Sequence, residues 1–175
     1  IKFFKILRRK KISIDILINN AGIASMNHFI TTPSKTSENI FDINFQGTLN
    51  FSKYSSKMMM KKKWGRIINF STVAVPLNLE GELSYASSKA AVEIATRIMS
   101  KELGSFGITV NSIGPNPINT DLIKTLSKDK ITNLVANQSI KRLGEFNDIF
   151  NIVRFYISED SSFINGQNIY LGGIC

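Results

Sequence analysis

Cysteine and histidine each occur once in this chain, as Cys175 and His28. A single cysteine excludes an intrachain disulfide and any cysteine-based metal centre, and it fits a reducing, cytoplasmic setting. A single histidine excludes a His-rich metal site, and without a partner it reads as a loop residue rather than a catalytic base. No apolar run approaches the ~20 residues of a membrane-spanning helix. The first eleven residues place their apolar side chains ahead of most of their charges, the reverse of a secretory signal. Acidic residues are scarce too, 13 against 22 Lys and Arg, for a net charge of +9. The cationic excess gathers at residues 8–11 and 61–63, with Lys57 and Arg66 near the second cluster. That second cluster closes an apolar helical pattern and precedes Gly65, where cations complement a helix C-terminus. Neither cluster carries aromatic stacking residues or zinc-ligand spacing, so no nucleic-acid partner is expected.

What remains is an ordinary globular composition. Hydrophobic residues make up 43% of the 175 positions and charged residues 20%, with a mean hydropathy of zero. Such a chain can bury one good core, so residues 1–175 are read as a single domain. Residues 12–18 alternate and then run apolar, a buried strand closed by the turn Asn19-Asn20-Ala21-Gly22. Residues 36–60 carry helical periodicity through Ile40, Phe41, Phe45, Leu49 and Phe51. Gly65 stops that helix, and residues 66–70 form a second apolar strand ending at Ser71-Thr72. Residues 76–81 read as loop, and 85–103 as an Ala-rich helix stopped by Gly104 and Gly107. Residues 108–113 are a third strand, broken by Gly114-Pro115-Asn116-Pro117. A polar stretch over 118–140 has weak helical pattern, 147–157 a short helix, and 168–171 a last strand. Strand and helix alternating at this spacing predict an α/β fold: a Rossmann-like, doubly wound parallel sheet in three layers. Ligands of such sheets bind at the carboxyl ends of the strands.

Tyr85 and Lys89, in Tyr85-Ala86-Ser87-Ser88-Lys89, lie four residues apart and share one face of the predicted helix. A phenol beside an ammonium can transfer a proton. Bringing tyrosine from near pH 10 to neutrality takes about 4 kcal/mol. A cation about 4 Å away, at an effective dielectric of about 20, supplies that order of energy.

With the strand ends placed, the chain resembles the short-chain dehydrogenase/reductase family. The matching pieces are Asn19-Asn20-Ala21-Gly22, Asn44 in Asp42-Ile43-Asn44-Phe45, and Gly65 through Thr72. The run Tyr85 through Ala91 follows, then Val110 through Pro115 with Thr120, and finally Ile164-Asn165-Gly166-Gln167 with Gly172-Gly173. Order and spacing agree across essentially the whole chain, and the branch it most looks like contains the 3-oxoacyl-carrier-protein reductases. The resemblance implies an NAD- or NADP-dependent oxidoreductase that interconverts a carbonyl and an alcohol by hydride transfer. In that reading Tyr85 is the general acid/base. Lys89 favours the tyrosinate and holds the nicotinamide ribose, and Asn44 holds a water that relays protons to Lys89. Asn20, Ala21 and Gly22 line the adenine-side ribose, and Pro115, Ile118 and Thr120 embrace the nicotinamide. The family forms tetramers or dimers through the helices corresponding to residues 38–60 and 85–103. The implied substrate is a small molecule, free or carrier-bound, under a cover formed by residues 121–138 with Lys124, Lys128 and Lys130.

Three departures from the family pattern stand out. The catalytic serine position, thirteen residues before Tyr85, is Thr72, which keeps the hydroxyl but adds a methyl and a stiffer rotamer; Ser71 is the neighbouring candidate. The Pro-Gly of the family is Pro115-Asn116, a substitution that a positive-φ turn would tolerate. The Gly-rich TGxxxGxG turn that holds the pyrophosphate has no counterpart. About two βα units, roughly 30 residues each, would have to precede residue 12. The expectation is therefore the C-terminal portion of a dehydrogenase with an apolar sheet edge left open. The alternative is a truncated remnant, or a non-catalytic subunit, of such an enzyme.

Overall fold

The computed structural model describes residues 2–118 and 128–174. Among them lies one parallel sheet of four strands in the order β1-β2-β3-β4. The strands are β1 (Ile16–Asn19), β2 (Gly65–Phe70), β3 (Ile108–Gly114) and β4 (Asn168–Tyr170). The register sets Ile16 opposite Arg66, Gly65 opposite Ile108 and Ser112 opposite Asn168. β2 and β3 are the centre, and every residue of β3 is buried. This is the near-continuous burial that a parallel strand covered on both faces requires.

Helices cover both faces. On one, α3 (Gly47–Lys62) and α5 (Leu83–Leu103) supply Met59, Met99 and Leu103 against Ile67, Ile108 and Val110. On the other, α7 (Phe146–Ile157) brings Ile149, Ile152, Val153 and Tyr156 onto Ile68 and Ile113. Consecutive residues Ile67 and Ile68 thus serve opposite layers, as the two-residue period of a strand dictates. The three-layer parallel α/β architecture expected from the pattern is the one observed.

Several boundaries differ from the sequence reading. β1 begins at Ile16, leaving Ile12 half exposed ahead of the strand. The long helix at residues 36–60 is α2 (Ser34–Phe41), a π-helical segment Asp42–Gln46, and then α3. Residues 74–77 form a one-turn helix, α4 (Ala74–Leu77), which overlaps the start of the loop expected over 76–81. Lys2–Arg9 form α1, which the sequence pattern left unassigned. Its buried Phe4 sits 5.5 Å from the Phe51 ring and 5.1 Å from that of Tyr54 on α3. The weakly helical stretch contains α6 (Lys128–Ala136), which includes Lys128 and Lys130 in its backbone. Thr120, Asp121 and Lys124 lie outside the described residues. The cations Lys61 and Lys62 occupy the last turn of α3, and Lys62 pairs with Asp15 at 2.6 Å. No helix among the described residues is long and apolar enough to cross a membrane.

Candidate functional site

The carboxyl ends of β1, β2 and β3 open into a cavity of about 870 Å³. Its lining includes Asn20 and Gly22 after β1, Phe70, Ser71 and Thr72 at the end of β2, and Pro115, Asn116 and Ile118 after β3. Tyr85 and Lys89 reach it from α5. The chain turns sharply where each strand stops, so residues far apart in sequence share one wall. Ala21 stands exposed in the turn between Asn20 and Gly22.

Three turns of α5 grip the end of β2. Lys89 Nζ donates to the carbonyl of Phe70 at 2.8 Å. The hydroxyl of Ser71 donates to Glu93 in a short hydrogen bond. The Thr72 hydroxyl lies beside the Tyr85 phenol, and its Oγ1 accepts from the Ala74 amide at 3.2 Å. Tyr85, Lys89 and Glu93 follow at intervals of four and so lie along one helical face. Ser71 is thus committed to Glu93, which also accepts from Tyr170 Oη at 2.7 Å and, more weakly, from Asn168 at 3.4 Å. The hydroxyl beside Tyr85 belongs to Thr72.

The electrostatics differ from the sequence expectation. The Tyr85 phenol is raised above its ordinary value, first by burial, with Thr72 pulling it down and Glu82 pushing it up. Burial of the Lys89 amine lowers it from 10.5 to about 8. A buried cation loses hydration that one carbonyl only partly replaces.

Asn44 is fully buried in the π-helical segment, a distortion often found at functional sites. Its Oδ1 accepts from the Ile23 amide at 2.8 Å, and its Nδ2 donates to the Ile23 carbonyl at 2.9 Å and to Ser88 Oγ at 3.0 Å. The side chain therefore clamps the turn after β1 onto α5. Its backbone carbonyl accepts from Thr48 Oγ1 at 2.8 Å. The turn must also stay thin: a Cβ on Gly22 would stand 3.2 Å from Asn44 Oδ1 and 3.3 Å from Lys89 Nζ. Bare backbone beside an asparagine and a lysine is a surface that a ribose or other hydroxylated group can approach. On that observation the residues present fit a nicotinamide nucleotide.

Asn116 is buried and does not adopt positive φ, so the turn at Pro115-Asn116 forms without the left-handed conformation. Its Nδ2 makes a short hydrogen bond to Gln138, while its Oδ1 is buried without a partner among the described residues. His28 lies in the loop after β1, where its Nδ1 accepts from the Ile30 amide at 3.4 Å. No group of His, Cys, Asp and Glu among the described residues could hold a metal ion. The sequence reading missed Glu82, Ser88, Glu93 and Gln138. Glu93 continues the four-residue spacing of Tyr85 and Lys89 and could have been found from it, whereas Glu82, Ser88 and Gln138 become visible only through their spatial neighbours.

Comparison with known proteins agrees with this fold. A family model described as Enoyl-(Acyl carrier protein) reductase matches residues 2–173. The 3-oxoacyl-[acyl-carrier-protein] reductase of Buchnera aphidicola is 37% identical over 165 residues, covering 94% of this chain and 68% of that protein. The corresponding Escherichia coli reductase is 33% identical over 160 residues, covering 91% and 66%. The chain thus spans about two thirds the length of these relatives. Among solved structures, a putative gluconate dehydrogenase from Agrobacterium tumefaciens superposes with a TM-score of 0.93 at 27% identity, over 97% of this chain and 68% of that one. A 4-hydroxyisoleucine dehydrogenase complexed with NADH gives a TM-score of 0.92 at 30% identity, over 98% and 72%. With a family model spanning nearly its whole length and reductases related to it throughout, the chain belongs to the short-chain dehydrogenase/reductase family of oxidoreductases, in its 3-oxoacyl-carrier-protein reductase-like branch.

Proposed function

We propose that this chain carries the proton-transfer half of an NAD- or NADP-dependent enzyme that interconverts a carbonyl and an alcohol. The observation that carries this reading is the convergence of Tyr85, Thr72 and Lys89 on the cavity that Asn20, Gly22, Pro115 and Ile118 also line. When bound, the nicotinamide supplies or accepts the hydride. In reduction the Tyr85 O–H bond breaks and its proton passes to the carbonyl oxygen; in oxidation the phenolate takes that proton back. Thr72 is the group that holds the phenol, and with it the substrate oxygen, in line. Lys89, lowered to about 8, exchanges its own proton near neutrality. Asn44 fixes the thin turn at Gly22, against which the cofactor's ribose would lie; Thr120 would join Pro115 and Ile118 at the nicotinamide.

The substrate is a small carbonyl/alcohol pair, free or carrier-bound, in a reducing, cytoplasmic compartment. Assembly into dimers or tetramers would use α3 and α5, whose Phe51, Ile94 and Ile98 are about half exposed. A second reading, a remnant or subunit without turnover, draws on the chain's span of about two thirds of its relatives. NAD(P)H oxidation against a panel of ketones separates the two. The enzyme reading expects turnover that Tyr85→Phe abolishes with nucleotide affinity unchanged. Turnover persisting in Tyr85→Phe would refute the role of that residue.

A further inference from the structure

A second concave site lies at the other end of the sheet. The groove between α1 and α3, about 480 Å³, opens where Ile12 and Ser13 lead into β1 and Lys62 leads into β2. It is at the amino ends of these strands, away from Tyr85 and Lys89. Five cations line it: Arg8, Lys11, Lys57, Lys61 and Lys62. Of these, Lys62 has a carboxylate partner, Asp15 at 2.6 Å. The side chains of Arg8, Lys11 and Lys61 make no hydrogen bond or ion pair among the described residues. The segments that build the groove, residues 1–14 and 47–64, carry eleven of the 22 Lys and Arg and no Asp or Glu. Lys11 also holds a left-handed backbone conformation, φ 56°, where glycine is the unstrained choice. Lysine at that position accepts backbone strain and adds a further cation to the groove.

Between the charges the wall is apolar, with Ile12, Tyr54, Met58 and the buried Phe4 among its residues. Tyr54 stacks on Phe4 at 5.1 Å and has Lys57 over its ring at 5.7 Å, so a flat base would have to displace one of them. A flexible hydrocarbon chain needs no free ring face. We propose that this groove binds a single-chain amphiphile with a phosphate head, the phosphate meeting Arg8, Lys11 and Lys61 and the chain lying on Ile12 and Met58. Unpaired like charges crowded on one wall repel one another, and a bound anion relieves that repulsion. A phosphate monoester brings about −1.5 to −2 charge at neutral pH and three strong acceptor oxygens, more than a carboxylate does. Arg and Lys donors form charge-assisted hydrogen bonds to such oxygens. A groove of this volume lies within the roughly 300–1,000 Å³ that small molecules occupy, and its concavity suits one chain rather than the plane of a bilayer.

The probe is n-octyl phosphate below its micelle concentration, titrated calorimetrically into the 175-residue chain at low salt. It is expected to bind about tenfold more tightly than inorganic phosphate, which lacks the chain, and than octanoate, which lacks the second charge. Octyltrimethylammonium, with the opposite charge on the same chain, should not bind. Arg8→Gln combined with Lys61→Gln should weaken octyl phosphate about tenfold. Lys101→Gln combined with Arg154→Gln removes the same charge from exposed positions outside the groove and should leave the affinity unchanged. Melting curves establish that each variant is folded. Absence of binding, equal affinity for octyl and inorganic phosphate, or binding that survives the Arg8 and Lys61 substitutions would each overturn the proposal. So would binding to phosphatidic acid vesicles without binding to octyl phosphate, which would make the face a membrane contact. Only binding is measured, so the groove stands or falls separately from the carbonyl/alcohol reading of the other cavity.

Discussion

Lys89 holds an amine among buried groups, and its consequence is a stability that depends on pH. Below about pH 8 the amine is protonated in both folded and unfolded chains, and folding carries the full cost of burying a cation. Between about 8 and 10.5 the folded chain has released a proton that the unfolded chain still holds, so stability rises with pH across that window. The full rise is at most about 3 kcal/mol. Lys89→Met should abolish it, which urea midpoints at about pH 7 and about pH 10 would show. A slope unchanged in the variant would mean that another group carries the effect. At Gly22 the constraint is space. Gly22→Ala places a methyl at the edge of contact with Asn44 and Lys89. A loss of about 1 kcal/mol in denaturant unfolding is expected, because both neighbours are held by hydrogen bonds and cannot retreat freely. Tyr85 and Lys89 were legible in the sequence because helical spacing alone puts them on one face. Glu82 and Gln138 were not, since their importance comes from the cavity wall and from Asn116, to which no sequence interval points.

The elements show the same division. β2 and β3 could be read from their apolar runs, since burial on both faces leaves a signature in composition. The π-helical segment could not. Its apolar residues keep an approximately helical period, and the distortion is expressed in what Asn44 reaches, namely both backbone groups of Ile23. Asn44→Ala should free that turn, raising hydrogen exchange of the Ile23 amide by about ten- to a hundredfold, which corresponds to about 1–3 kcal/mol. α1 escaped notice because eight residues carry little helical preference of their own, and packing on Phe51 and Tyr54 supplies the rest. α7 is set by an exposed cluster at its start. Arg142 holds Asp148 at 2.7 and 2.9 Å, and Asp148 also accepts from the Glu145 amide at 2.8 Å. The Arg142 hydrogen bonds lower the Asp148 carboxyl to about 2. A depressed folded-state value means the contribution is present above about pH 4 and lost as pH falls toward 2. Asp148→Asn should therefore lower the melting temperature at neutral pH and converge with the wild type near pH 2.

At the scale of the whole molecule, the sheet is covered unevenly. Leu17 of β1 packs into the α3–α5 layer, but Ile16 and Ile18, 40% and 44% exposed, line the opposite face without a helix over them among the described residues. An apolar strand at the border of a sheet invites pairing with another chain. The 175-residue chain is expected to self-associate with rising concentration, and Ile18→Lys to weaken that association in sedimentation velocity. Concentration-independent sedimentation of the wild type would contradict this.

The grip of α5 on β2 also separates two kinds of length change in the polypeptide. Phe70, Ser71 and Thr72 are consecutive, the first two hydrogen-bonded to Lys89 and Glu93 of one helix and the third beside its Tyr85. Adding one residue inside residues 85–93 would rotate whatever follows by about 100°, carrying Lys89 or Glu93 off its partner. One residue added at Asn78–Leu79, beyond α4, changes only a connecting span and leaves the helix phase intact. Variation in length, whether by natural insertion or by engineering, is therefore permitted in the connector and forbidden in the helix. The connector is also where Leu79 and Glu82 meet the cavity. The fold thus lets the cavity wall at Leu79 be reshaped while the contacts between α5 and the end of β2 are kept.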